Sequence, residues 1–586
     1  MKRKLISLLL AVALLASQAA GLAADNRVLV FIEEGAGFTV QENGLRVAPG
    51  EDATFTLTLD RGAALTGTDY SGEAEIETQG RQTLLTLRAV VYPTRVRLSI
   101  STKYCVVTYD ANGGEALAGE PVVEKRYGTS AHPRPNTENG AGLFAREGYT
   151  LVCWNTRSDG EGECVGLGSR VTPVNGQIRL YAQWAKWNDA ADFLWEGDDS
   201  ATITAYHGQS DILVVPSFLD GRPVRAIAEG AFAGCQAREV VLPEGLKSVE
   251  NGAFRDSSLE EITLFDSIES VSDAAFAGCD SLRTLHINAA EAPFGYVFRK
   301  ESVYADKVEL LMKAQGRKKL VFYGGCSMWY NLDAEQAAKR FGEEYAIINV
   351  ALNGTVSSAV QMQIMAPYLE AGDVLFHTPE LSSRPQLMLH TAMGDNDSSL
   401  WAGLENNYDL FALVDLRTVD GAFDSLTHYL SLKDKRTDYQ QFYSDDYRTP
   451  YIDRYGSIPF YRSGTEKELG DTVSLDPALV CEEALGTLEA YYGWLGQRGV
   501  RIVVSYACVN MDALPEDEHE NVEAVDGLFR QAISAMDGPV AISRLSDYLY
   551  NRSDYYDTNY HLCSEPAKRN TARWLDDLER WLGDEA

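Results

Sequence analysis

Three polar side chains of this chain stand at positions that acyl-transfer chemistry would use. Ser327 closes the turn Tyr323-Gly324-Gly325-Cys326-Ser327, directly after the apolar run Leu320-Val321-Phe322. Asp557 and His561 stand together in Asp557-Thr558-Asn559-Tyr560-His561, just before the last helical pattern. A serine hydroxyl attacks poorly until an imidazole takes its proton, and that imidazole needs a carboxylate to hold its tautomer and stabilise its cation. If the two stretches meet, Ser327 is the nucleophile, His561 the base and Asp557 the orienting carboxylate, with Asp554 as the competing acid. The negative oxygen of a tetrahedral intermediate needs N–H donors. Ser327 itself, Gly354 and Asn353 are the candidates for that oxyanion hole. Cys326 has no cationic neighbour in sequence to make it a thiolate and reads as packing. His377 reads as a loop residue rather than a catalyst.

The elements that must position these residues lie in residues 291–586. Five apolar runs alternate with helical patterns: 320–323, 346–350, 374–376, 502–505 and 540–542. Helices are predicted over 333–341, 357–369 and 482–495. A further, final helix places Trp574, Leu575, Leu578, Trp581 and Leu582 on one face. Such alternation predicts a five-stranded parallel sheet covered by helices on both faces, with ligands bound beyond the strands' C-terminal ends. Residues 381–470 interrupt the alternation and read as a lid or substrate wall.

Gly325-Cys326-Ser327, Asn353-Gly354 and Tyr556-Asp557-Thr558-Asn559-Tyr560-His561-Leu562 with Thr571 resemble the motif blocks of the SGNH (GDSL-like) hydrolase superfamily. The resemblance is to its divergent branch, which includes D-alanyl transfer and alginate O-acetylation proteins. It implies a flavodoxin-like three-layer α/β fold, a seryl ester intermediate and no cofactor. It also implies Gly354 as an oxyanion donor. The family's Gly-x-Asn-Asp block is absent after the third strand, where this chain has His377-Thr378-Pro379-Glu380.

Upstream, the chain reads as display. Residues 1–24 have a basic start (Lys2, Arg3, Lys4), an apolar core from Leu5 to Leu15 and the small-residue stretch Gly21-Leu22-Ala23, as a cleaved secretory signal does. Residues 25–104 alternate in strand fashion, as in Phe55-Thr56-Leu57-Thr58-Leu59, and predict a small β-sandwich. Residues 105–186 contain an Asn112-Gly113 turn, then Gly148-Tyr149-Thr150-Leu151-Val152-Cys153-Trp154, and close on Leu180-Tyr181-Ala182-Gln183-Trp184. They resemble the internalin-type B repeat (Listeria–Bacteroides repeat), which implies a β-grasp-like spacer or adhesive module. Trp154 and Trp184 read as core aromatics. Within 198–290, Ala231-Phe232, Ala253-Phe254 and Ala275-Phe276 recur at a 22-residue period with a short apolar run after each. This segment resembles BspA-type leucine-rich repeats, and it reads either as a rigid spacer or as a protein-binding concave sheet.

Composition sets the outer bounds. With 586 residues, 45% hydrophobic and 23% charged, the chain is globular and multidomain. A net charge of −33, or −36 once the basic start is cleaved, excludes a nucleic-acid partner because phosphate binding needs basic surface. Nine scattered cysteines predict few or no disulfides, and no His/Cys cluster has metal spacing. The expectation is a secreted or cell-surface serine esterase or acyltransferase acting on O-acetylated glycans or cell-wall polymers. The rival is a non-catalytic adhesion protein with an inactive SGNH-like domain.

Overall fold

The structure, a computed structural model, describes residues 27–584 except 33–37, 60–62, 69, 71, 80–81, 97, 103, 118–121, 128–142, 168, 170, 172–176, 273, 290–302, 353, 355, 381–392, 395–396, 406, 435–451, 459–460 and 465–472. The predicted signal and Asn353 therefore lie outside the described residues. The chain divides into two compact units, residues 1–103 and 104–586.

In the first unit, alternation of apolar and polar residues produces strands with one buried face. Glu51–Leu59 and Gln82–Val90 pair antiparallel at the centre of a four-stranded sheet. A three-stranded sheet contains Val28–Ile32. Phe55, Leu57, Leu85 and Leu87 from the first sheet and Val30 and Ile32 from the second share one buried core. Two sheets around one core is the layering that the alternation predicts.

The second unit starts with a five-stranded sheet whose central strands are Tyr104–Asp110 and Gln177–Lys186. Trp154 is fully buried there, 4.9 Å from the Tyr109 ring; Trp184 is only half-buried and donates its indole N–H to the Ala111 carbonyl. Asn112 and Gly113 both adopt positive φ, 46° and 89°, as a tight turn requires. That turn leads into Glu115–Ala116, which pairs with Phe144–Ala145, so it does not close a simple hairpin. Cys153 and Cys164, on neighbouring antiparallel strands, form a disulfide.

The 22-residue period appears as two parallel ladders. Ile212–Val214, Glu239–Val241, Glu261–Phe265 and Thr284–Asn288 form one of them. Phe232, Phe254 and Phe276 stack along the axis at 4.9 and 5.4 Å, with their planes nearly parallel. Period-2 geometry sends alternate strand residues to opposite faces. Val240, Ile262 and Leu285 fill the solenoid, whereas Val214, Val241 and Phe265 pack into the core of the preceding module. A face that the repeat pattern alone leaves open is therefore partly covered within the chain. At the far end, Phe423 continues the aromatic stack 4.6 Å beyond Phe276, and the Leu416 N–H donates to the Arg283 carbonyl.

In the C-terminal region the five apolar runs form the strands β1 (Lys319–Gly324), β2 (Ala346–Asn349), β3 (Val374–Thr378), β4 (Arg501–Val504) and β5 (Val540–Ala541). All pairings are parallel, in the order β2-β1-β3-β4-β5. Helix α1 (Tyr304–Lys313) precedes β1, and α2 (Cys326–Asn331), α3 (Ala334–Phe341) and α4 (Ser358–Met365) follow. Then come α5 (Ser398–Leu404), α6 (Ala422–Asp434), α7 (Glu482–Gln497), α8 (Val522–Ala535) and α9 (Ser564–Asp584). Asp333 caps α3 and Ser357 caps α4 by accepting N–H groups of their first turns. Neighbouring residues of β3 show the two covered faces. The Phe376 ring lies 6.0 Å from Trp574 of α9, while His377 bonds Tyr492 of α7 on the other side. His377 is thus a buried strand residue, not the loop residue that its position suggests.

Phe254 is fully buried between two stacked rings. Phe254→Ala is expected to lower unfolding stability by about 3–5 kcal/mol in a denaturant titration, from the lost ring and the cavity left behind.

Candidate active site

The strand order reverses direction between β1 and β3, and a doubly wound sheet opens its crevice at such a point. Ser327 leaves the end of β1 and Glu380 follows the end of β3, so the reversal brings them together. The Ser327 N–H donates to Glu380 Oε1 at 2.9 Å. Gly324 keeps β1 close to Thr378, because a Cβ there would come within 2.8 Å of the Thr378 hydroxyl. At Gly325 and at Gly354 a Cβ would overlap the Glu380 carboxylate itself.

Ser327 is fully buried, and its hydroxyl has no hydrogen-bond partner. Residues three and four apart share a helix face, so Tyr330 and Asn331 lie on the same side of α2 as Ser327. That side meets the loop carrying His561. The Tyr330 and His561 rings stack at 3.6 Å, with their planes within 2°. The Asn331 amide donates to the Tyr560 carbonyl and accepts from the Leu562 N–H, both at 2.8 Å. One side chain on the serine's helix therefore grips the backbone on each side of His561. Thr571 of α9 supports it by donating to the Asn331 carbonyl and accepting the Asp333 N–H.

His561 Nδ1 lies 2.7 Å from Asp557 Oδ1. An ionised carboxylate only accepts, so this contact assigns the proton to Nδ1 and leaves Nε2 with a lone pair, as a base requires. Nε2 is buried and has no hydrogen-bond partner. Ser327 Oγ and His561 Nε2 are thus a buried donor and a buried acceptor on facing elements, not bonded to one another. Asp554 is committed elsewhere: its carboxylate accepts from Arg569 and from the Asn551 N–H.

The oxyanion candidates divide. Asn353 lies outside the described residues. Gly354 lies against the Glu380 carboxylate. Burial first, then the nearby Glu380 charge, push the Cys326 thiol well above its usual pKa, which keeps it a thiol. A cavity of about 10 Å³, the size of one water, is lined by Tyr323, Gly354, Gln361, His377, Thr378 and Glu380. The Thr378 hydroxyl and Gln361 Oε1 are buried at it without partners. Among the described residues, no group of His, Cys, Asp and Glu could hold a metal ion.

Three contributors were not legible as motifs. Asn331 has no local signal beyond its i+4 spacing from Ser327. Arg462, from the 381–470 interruption, donates to the carbonyls of Tyr330 at 2.6 Å and Leu562 at 3.2 Å. Its only signal is the arginine content of that stretch. Lys307 of α1 is buried, with Nζ 4.4 Å above the Trp329 ring and bonded to the Ala351 carbonyl. Burial lowers its pKa well below the ordinary lysine value.

Residues 106–183 match the model of the Listeria-Bacteroides repeat domain, and residues 220–308 match that of the BspA-type leucine-rich repeat region, in six copies. The chain carries both modules. Both are typical of bacterial surface proteins, and leucine-rich repeats are a protein-binding architecture. A protein of Evansella cellulosilytica named as a membrane protein is 24% identical over 166 residues. That alignment covers 26% of this chain and 24% of the relative, so the chain spans about a quarter of the relative's length. A solved leucine-rich repeat protein of T. pallidum is 24% identical over 17% of this chain and 71% of its own, with a TM-score of 0.13. Among the described residues, no helix is long and apolar enough to cross a membrane.

Asn331→Ala removes both bonds that hold the His561 loop. It is expected to cost about 1–3 kcal/mol in denaturant unfolding, because it also leaves the buried Leu562 N–H without its partner. Burial lowers the His377 pKa from 6.5 to about 3. The unfolded chain therefore takes up a proton below 6.5 that the folded chain refuses, and stability falls as pH drops from about 6.5 to 3. Burial raises Asp397 to about 6, which works in the opposite direction between about 4 and 6. Unfolding titrations should accordingly show a shallower acid loss in His377→Gln than in the wild type, with the Asp397 contribution cancelling in the comparison.

Proposed function

We propose that the C-terminal domain is an SGNH-type serine esterase or acyltransferase. Its substrate class is an O-acetylated glycan or cell-wall polymer, met at the cell surface to which the upstream modules belong. The observation that carries this reading is the Asp557–His561 hydrogen bond on a loop held by Asn331, a residue of Ser327's own helix.

In the first half-reaction Ser327 Oγ attacks the ester carbonyl carbon, and its proton moves to His561 Nε2. Asp557 stabilises the imidazolium through Nδ1–H. Collapse of the tetrahedral intermediate breaks the bond to the sugar oxygen, which leaves with the proton from Nε2. The acyl group stays on Ser327 until water or another sugar hydroxyl attacks it, giving its proton to Nε2, and collapse then breaks the bond to Ser327 Oγ, which takes that proton back. Hydrolysis and transfer differ only in that acceptor.

A second reading is supported by a specific contact. The Ser327 N–H is engaged by Glu380, and the usual third-block asparagine is absent after β3. On this reading the domain is inactive, and the repeats and solenoid bind a partner at the cell surface.

A fluorophosphonate probe separates the two. The esterase reading expects the wild-type chain to be labelled at Ser327 and to release acetate from acetylated xylan or peptidoglycan. Ser327→Ala should lose the label and at least about 10⁴-fold of the release rate. A chain that neither takes up the label nor releases acetate supports the adhesion reading.

A further inference from the structure

Glu380 is a carboxylate at the serine turn that the acyl-ester chemistry does not use. It is 5% exposed. Its identified donor is the Ser327 N–H, at 2.9 Å from Oε1. The Cys326 thiol is 3.9 Å from the same oxygen. The backbone on both sides is cut away to admit it, since a Cβ at Gly325 or at Gly354 would overlap the carboxylate. Gly325 after β1 and Gly354 after β2 thus form a fitted cradle for one anionic group, which follows the neighbouring strand β3.

The Ser327 N–H is also the donor that a tetrahedral oxyanion on Ser327 would need. An N–H already bonded to a carboxylate oxygen is not free for it, and two negative oxygens at one donor repel strongly in a buried site. We propose that Glu380 occupies the anion position of the serine site, so that an acyl oxyanion forms there only after the carboxylate is displaced. The resting chain is then held latent by its own side chain, and whatever draws Glu380 out of the glycine cradle switches the site on. This inference rests on the acyl-ester reading above.

The test measures the rate of fluorophosphonate labelling at Ser327 in wild type, Glu380→Gln and Ser327→Ala, with the thermal midpoint followed in parallel. Glutamine keeps the shape that fills the cradle but removes the charge, and its amide can turn a donor toward the developing anion. Labelling of Glu380→Gln is expected to be at least about tenfold faster than wild type, since one donor at such a hole is worth about 10²–10³ in rate. An unchanged midpoint alongside the faster rate attributes the gain to the lost charge rather than to loosening. If Glu380→Gln does not fold, Glu380→Ala reads the same rate, again with a gain expected. Wild type labelled at Ser327 with no gain in either variant overturns this proposal and leaves the esterase reading standing. No label in any of the chains overturns both.

Discussion

The candidate site depends on one side-chain amide. Asn331 sits on the short helix that carries Ser327, and its two polar atoms are bonded to the backbone before and after His561. The two elements it joins are 230 residues apart in the chain, so no local geometry could bring them together. A carboxamide suits the task because it carries an acceptor and a donor on one planar group and can bridge a carbonyl and an N–H of the same loop. With that loop held, the stacking of His561 on Tyr330 and the bond from Nδ1 to Asp557 become fixed consequences. Arg462 braces the same junction from the other side by donating to carbonyls of both elements.

The same junction explains why the interruption within the α/β alternation belongs to the domain. Its helices α5 and α6 bury Leu400, Trp401 and Leu426 in the common core, and its later part delivers Arg462 to the site. Phe423, on α6, also ends the aromatic stack of the leucine-rich repeats. A solenoid exposes an apolar face at its last turn unless something covers it. Here the cover is the C-terminal α/β domain, while the preceding β module packs on the outward residues of the ladder. Modules that read as independent spacers are in this way one continuous unit from residue 104 onward.

Much of the architecture is visible in the one-dimensional pattern because its causes are local. Period-2 alternation, the 22-residue repeat and the apolar runs at 320–323, 346–350 and 374–376 each specify which face of an element must be buried, and the structure has a strand at each. The Ser327, Asp557 and His561 candidates were also legible, as residue types that this chemistry requires. Legibility failed where an outcome depends on what packs opposite. His377 follows an apolar run and looks like a loop residue, but pairing with Tyr323 and Val504 makes it part of β3, buried against Tyr492. Val214, Val241 and Phe265 look like an open repeat face until the neighbouring module covers them.

The sequence by itself therefore determined the elements, their periodicities and the chemical types available to a site, because those follow from side-chain size, branching and spacing along the chain. Tertiary structure alone decided which of those types touch. It bonded Asp557 rather than Asp554 to His561, left Ser327 Oγ and His561 Nε2 unbonded, and placed Glu380 against the Ser327 N–H. The last of these is set by the reversal of strand order at β1 and by glycines whose missing Cβ atoms matter only once another strand arrives beside them. Contacts of that kind are properties of the folded sheet, and no stretch of sequence contains them.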